Sequence, residues 1–245
     1  MSTFLDKLKA KWEENKFICI GLDNGEFEFD KSIIDQTHDL VCAYKPNAAF
    51  YKEAELQKTV DYIKSNHPDI PIILDAKRGD IGNTNEAYVK AIFDDLGADA
   101  VTVHPYLGKE SLGPFLKRAD KGIFVLVKTS NPGAGEFQDL EVGDRLLYQV
   151  VAEHVKNWGS NLGVVVGATY PEELKKVREI VGDMPILVPG IGAQGGNLKA
   201  VIKNGLNSQK QGLIISSSRG IIFAENPREA TQNLHLQIQE VLKNV

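Results

Sequence analysis

The chain predicts a (β/α)8 barrel of the TIM type, within the α/β class. Short apolar runs alternate with helical patterns along its whole length. About eight such units fit into 245 residues. No linker rich in proline, glycine or serine divides them, so residues 1–245 read as a single barrel domain. A doubly wound open sheet is the alternative that the same alternation allows.

The strand signal lies at residues 17–20, 40–44, 70–74, 100–103, 123–127, 162–166, 185–188 and 212–215. Each run is nearly continuous in apolar residues, as parallel strands covered on both faces require. Three helical segments between them are clearest. Over 83–96, Asn83 stands three residues before Glu86 as a capping pair, and Gly97 marks the end. Over 142–158, Leu146, Leu147, Val150, Val151 and Val155 recur at near-helical spacing. Over 171–181, Pro171 opens the helix and Gly182 closes it. Trp12 and Trp158 read as helix-packing residues. The charged stretch 175–179 and the pair Glu13 and Glu14 read as solvated helix faces.

Composition narrows the function classes. The hydrophobic fraction of 42% and the charged fraction of 25% are those of an ordinary globular protein. A net charge of −5 does not favour nucleic acid as a partner, although a local phosphate pocket remains open. Cys19 and Cys42 each sit in an apolar run and read as buried free thiols, not a disulfide or metal pair. Residues 1–16 are charged and lack an apolar signal core, and no stretch approaches a membrane span. A cytoplasmic protein with no membrane partner is expected. His38, His67, His154 and His235 lack metal-ligand spacing, so no metal site is expected.

In such a barrel, chemistry belongs on the loops leaving the C-terminal strand ends. Those ends are polar here. They read Gly21-Leu22-Asp23, Lys45-Pro46-Asn47, Asp75-Ala76-Lys77, His104-Pro105, Lys128-Thr129-Ser130-Asn131-Pro132, residues 189–196, and Ser216-Ser217-Ser218-Arg219. The third is the most informative. Residues i and i+2 of a strand share a face, so Asp75 and Lys77 are expected to point the same way, with Asp80 following in a glycine-containing loop. Such charges at a strand end are costly unless they satisfy one another or a ligand. A solvated loop with an incidental ion pair is the plainer reading. The last two ends suit an anion: glycines admit backbone N–H groups, and Ser218 and Arg219 precede a short helix at 220–224. Tight turns alone would also use those glycines. His104 reads equally as an acid–base group or as a structural histidine.

Together these residues resemble the orotidine 5′-monophosphate decarboxylase family. The resemblance rests on Asp75-x-Lys77-x-x-Asp80-x-x-x-Thr84, on Gly21-Leu22-Asp23 and Tyr44-Lys45-Pro46-Asn47, on Lys128-Thr129-Ser130-Asn131-Pro132, and on residues 189–196 with Ser218-Arg219. It runs from about 17 to 223 and is closest in flavour to the second bacterial subfamily. It implies a cofactor-independent lyase that converts orotidine 5′-monophosphate to UMP and CO2 in pyrimidine biosynthesis. Lys77 would be the proton donor, with Asp75 beside the substrate carboxylate and Lys45 tying Asp75 into a charged chain. Asp80 and Thr84 would reach into a partner's site, making a homodimer with shared active sites. Asp23, Asn47, Ile81, Ser130, Gln194, Ser218 and Arg219 would complete the substrate contacts. Asp23 would take the ribose, Ser130 the pyrimidine, and Gln194, Ser218 and Arg219 the phosphate.

The chemistry suits these residues. Loss of CO2 from the pyrimidine leaves a carbanion in the ring plane, outside the π-system. The resemblance implies no electron-sink cofactor, so a fixed ammonium is the natural device. Two rivals share part of the pattern. A related sugar-phosphate decarboxylase would use carboxylate-held magnesium, for which Lys45 is a poor neighbour. A non-catalytic nucleotide-binding module would not need Lys77.

Overall fold

A computed structural model describes residues 2–192 and 195–244. Among them, eight parallel strands form the barrel: β1 Ile18–Leu22, β2 Val41–Pro46, β3 Ile73–Arg78, β4 Ala100–Val103, β5 Gly122–Lys128, β6 Leu162–Val166, β7 Ile186–Pro189 and β8 Leu213–Ser217. Each pairs with its sequence neighbours, and β8 returns to β1. Between β2 and β3 the seam is closed by bridges at Tyr44↔Ile72 and Asn47↔Asp75. The barrel is therefore the observed fold, and the open sheet is not.

The strands run further than their apolar runs. Strand β1 reaches Leu22, β2 reaches Pro46, β3 reaches Arg78 and β8 reaches Ser217. Parallel pairing continues into the polar ends on at least one side: Leu22 pairs with Pro46, Arg78 with Val103 and Ser217 with Ile20. The side chains that the sequence places in loops are thus carried partly by sheet. That matters for function, since a strand end holds a group more firmly than a loop does.

Helices cover the outside: α1 Phe4–Glu13, α2 Phe27–Thr37, α3 Glu53–Asn66, α4 Gly82–Val89, α5 Leu147–Lys156, α6 Pro171–Val181, α7 Leu198–Gly205 and α8 Pro227–Leu242. Helix α1 underlies the N-terminal strand ends. Its Phe4 ring meets Phe124 edge-on at 5.6 Å, Trp12 Nε1 donates to Leu213 O at 2.8 Å, and Lys7 pairs with Asp99 just before β4. Trp12 thus packs as expected and also binds strand backbone.

Three local expectations need correction. Helix α4 begins at Gly82 with Ile81 as N-cap and no side-chain cap, so Asn83 and Glu86 form no capping pair; its continuation over Lys90–Asp95 is π-helical. Helix α5 begins at Leu147, because Glu141–Val142 and Arg145–Leu146 form a small antiparallel hairpin first. Arg178 is not on a solvated face. It is buried on α6 and its guanidinium donates to the carbonyls of Gly205, Gly182, Met184 and Gly212. Burial among neutral acceptors pulls its pKa down to about 10, so the cation holds its charge while tying the ends of α6 and α7 to the starts of β7 and β8. Cys19 and Cys42 are buried free thiols, as the sequence indicates.

The Arg178 clip can be measured. Arg178→Met keeps much of the bulk but removes every donor from four backbone carbonyls. Each buried acceptor left unpaired costs about 1–3 kcal/mol. At about 2–4 °C per kcal/mol for a chain of this size, we expect a melting temperature lower by about 8 °C or more. A shift under about 2 °C in thermal denaturation would contradict the assigned role.

Candidate active site

The C-terminal mouth of the barrel opens into a cavity of about 550 Å³. Its charged lining is Asp23, Lys45, Asp75, Lys77 and Arg219, three cations and two carboxylates. The volume is in the range of small-molecule sites, and the charge excess favours an anion.

Strand β3 builds the centre by breaking its own regularity. Leu74 pairs with Val101 and Arg78 with Val103, so Asp75, Ala76 and Lys77 stand opposite Thr102 alone. Lys77 has φ +46°, a left-handed conformation costing a lysine about 1–2 kcal/mol. The Thr102 hydroxyl offsets this cost. It accepts from the N–H groups of Ala76 and Lys77 at 3.1 and 3.0 Å and donates to Asp75 Oδ1 at 2.9 Å. Asp75 and Lys77 do meet, at 2.7 Å, but on a bulge and not through regular strand alternation.

Asp75 is held from two sides. Oδ1 accepts from Lys77 and Oδ2 accepts from Lys45 Nζ at 2.7 Å. Burial works to raise the Asp75 carboxyl, but the two ammonium groups outweigh it and hold the group well below the usual carboxylate range. Burial works equally against the Lys45 cation, and Asp75 outweighs it there, lifting its pKa above the ordinary lysine value. Lys45 is enclosed, with 6% of its side chain exposed, whereas Lys77 is 52% exposed and stands free to meet a ligand.

Beside this chain lie Asn47 and Asp23. The N–H of Asn47 donates to Leu22 O, and its Oδ1 accepts from the N–H of Ala49, which fixes the turn after β2. Asp23 follows β1, and its Oδ1 is buried without a partner among the described groups. An unpaired buried carboxylate oxygen is expensive, and a ligand hydroxyl would satisfy it. Behind it, fully buried Asp30 accepts from Tyr51 and Thr59 hydroxyls. Burial pushes the Asp30 carboxyl up to about 6, and the Asp23 charge adds to the rise.

Ser218 and Arg219 stand at the end of β8, three strands round from β3. Ser218 crosses directly over Gly21: a β-carbon there would lie 1.9 Å from the serine Oγ, so a larger residue at 21 would displace the Ser218 hydroxyl. Ser130 follows β5 and packs on Gly167 in the same way, where a β-carbon would lie 2.7 Å from the Ser130 Cα. Both serines line the cavity with Arg219. Gln194 lies outside the described residues.

Asp80, Ile81 and Thr84 are brought elsewhere. None is among the described residues lining this cavity. They sit at the start of α4, where buried Asn85 accepts from the Asp80 N–H at 3.1 Å and donates to the Asp80 and Ser111 carbonyls. Ile81 is 57% exposed. His104 does not line the cavity either. Its ring packs on Gly79 and its backbone N–H donates to Arg78 O, which supports the structural reading. Nothing in the sequence marks Thr102, a lone threonine in an apolar strand, or Gln138, which lines the cavity from far along the β5 loop. Among the described residues no cluster of metal-ligating side chains is found.

Comparison with known proteins agrees with the geometry. Residues 16–234 match the family model described as orotidine 5′-phosphate decarboxylase / HUMPS family. The chain is 45% identical to an orotidine 5′-phosphate decarboxylase of Cupriavidus metallidurans, over 98% of this chain and 97% of that protein. Its fold superposes on an OMP decarboxylase of Leishmania donovani with a TM-score of 0.92 and 40% identity, covering 98% of each chain. It also matches the UMP synthase of the same organism, with a TM-score of 0.94 and 42% identity. There it covers 99% of this chain but 57% of that one.

Proposed function

We propose a reaction and a set of residue roles from one premise: the chain belongs to the orotidine 5′-phosphate decarboxylase / HUMPS family. It decarboxylates orotidine 5′-monophosphate to UMP and CO2 in pyrimidine biosynthesis. The observation that carries the residue roles is Asp75 held between Lys45 and Lys77 at the floor of a cationic cavity.

Ser218 and Arg219 take the phosphate, joined by Gln194. Asp23 and Asn47 take ribose hydroxyls, and Ser130 takes the pyrimidine. The substrate carboxylate then lies against Asp75. Because Asp75 stays ionised, the two negative groups repel, and loss of CO2 relieves the repulsion. The bond from the ring to the carboxylate breaks and its electron pair stays on the ring carbon. The Lys77 ammonium faces that charge as it forms and gives its proton to the carbon. Solvent restores the lysine proton. Lys45 keeps Asp75 charged and fixed throughout, and no electron-sink cofactor or metal takes part. Phosphate contacts far from the breaking bond supply binding energy that the reacting end can use.

The site is completed by a second copy. Asp80, Ile81 and Thr84 stand outside their own cavity, and exposed Ile81, Tyr106 and Leu107 flank the ends of β3 and β4. An apolar rim beside unplaced polar groups suits a homodimer in which Asp80 and Thr84 enter the partner's site. Residues 1–245 act as one catalytic domain. No helix among the described residues is long and apolar enough to cross a membrane. Two free buried thiols fit a reducing compartment, and on that ground we place the enzyme in the cytoplasm.

Two experiments test these roles. Lys77→Ala should fold normally yet lose turnover by several orders of magnitude, about 10³-fold or more, followed by the fall in pyrimidine absorbance. Turnover within tenfold of the parent would remove Lys77 from the reaction. For the shared site, inactive Lys77→Ala and inactive Asp80→Ala subunits are mixed. A mixed dimer holds one site with both defects and one with neither, so activity should return to about half per dimer if sites act independently. Proven subunit exchange without recovery would return Asp80 to its own subunit's site.

A further inference from the structure

Lys128 at the end of β5 is a lysine with no exposed side-chain surface, and the reaction proposed above does not use it. Its ammonium pairs with Asp139 and lies over the rings of Tyr170 and Tyr148, at 4.5 and 5.7 Å from their centroids. Burying a cation is costly unless it is paired, so this arrangement calls for a reason.

The reason lies in the loop between the two residues. Residues 129–138 leave β5, pass Ser130 and Asn131 along the cavity, turn through Pro132–Ala134 and Gly135–Gln138, and come back to the cavity at Gln138. Apolar burial does little to hold this loop. Ala134 is buried, but outside the main core cluster, and Phe137 and Leu140 are 61% and 50% exposed. The two ends are instead clipped by polar contacts. The Thr129 N–H donates to Gln138 Oε1 at 2.9 Å, and Gln138 Nε2 donates to Thr129 Oγ1 at 2.8 Å. One residue further out on each side, Lys128 meets Asp139. Below the clip, Lys128 O accepts from the Gly167 N–H at 2.8 Å, so the anchor is fixed to β6 side backbone.

We propose that Lys128 and Asp139 form a latch that positions the β5 loop, and through it Ser130 and Gln138, for substrate binding. Lys128 is a positioning residue: it touches loop and rings, not the reacting atoms. Two aromatic faces favour the cation where water is excluded, and Asp139, 41% exposed, is the half of the latch that can release. The link to catalysis rests on the decarboxylase reading; the link to loop order does not.

The test uses the full chain with Lys128→Met, which keeps an unbranched side chain and removes the charge, and the double variant Lys128→Met/Asp139→Asn. Asp139→Asn alone would strand a buried cation and is avoided. Two quantities are measured: steady-state KM and kcat for orotidine 5′-monophosphate, and hydrogen exchange across 129–140. We expect Lys128→Met to raise KM about tenfold or more, with a smaller change in kcat, because misplaced binding groups lose substrate affinity first. Exchange should quicken within 129–140 and stay unchanged in the strands. The double variant should match the single, since the latch is already open. A KM within twofold of the parent, or unchanged exchange in 129–140, overturns the proposal. If the parent chain itself did not turn over this substrate, the reaction assignment would fall. Exchange would then decide the latch alone, quickened for it and unchanged against it.

Discussion

One ionised carboxylate, Asp75, organises the open end of this barrel. Its two oxygens hold Lys45, Lys77 and the Thr102 hydroxyl, so both cations and the bulge in β3 share a single anchor. Desolvation alone would neutralise a carboxylate placed so deep. Two lysines at hydrogen-bond distance reverse that outcome, and the reversal goes far enough to keep Asp75 charged throughout the neutral range. The same charge keeps Lys45 protonated although it is enclosed. Neither group is stable in its state without the other. Taking away one partner would leave a buried charge uncompensated, a loss of about 3–5 kcal/mol for such pairs.

The barrel makes this cluster possible by what it does at neighbouring strand ends. Thr102 uses its whole hydrogen-bonding capacity, one donor and two acceptor positions, to turn three residues of β3 past one residue of β4. Glycines at 21 and 167 let Ser218 and Ser130 cross close to backbone on either side of the cavity. Asn85 fixes the Asp80 backbone where the chain leaves toward α4. Each device spends local regularity at the mouth, while the apolar strand bodies below remain regular and buried. In the proposed reaction this division lets a rigid base present a strained, charged surface to substrate.

Much of this was legible in the sequence. Alternating apolar runs and helical patterns indicate a parallel sheet covered on both faces, and the count of about eight such units points to the barrel over the open sheet. The polar ends then announce the mouth. Asp23, Lys45, Asn47, Asp75, Lys77, Ser130, Ser218 and Arg219 all line one cavity. What stayed hidden depends on contacts between distant residues. Arg178 reads as one more surface charge until four carbonyls are found around it. Asn83 and Glu86 have capping spacing, yet Ile81 takes the N-cap place and it is Asn85, bonded to the Asp80 and Ser111 backbone, that holds the start of α4. Thr102 carries no signal at all, since a β-branched residue in a strand is ordinary. Lys128 and Asp139 are eleven residues apart and meet only because the loop between them returns.

The central claim is electrostatic: Asp75 is an obligate anion held between two cations. The direct measurement is a pH titration of the Asp75 carboxyl carbon by NMR in the folded protein with selective labelling. The pairing predicts that its resonance stays at the ionised position as pH falls through the ordinary carboxyl value of 3.8 and titrates only below it. An Asp75 carboxyl that takes up its proton at or above that value in folded protein would contradict the account, because a neutral Asp75 could neither hold Lys45 in its charged, enclosed state nor repel a substrate carboxylate.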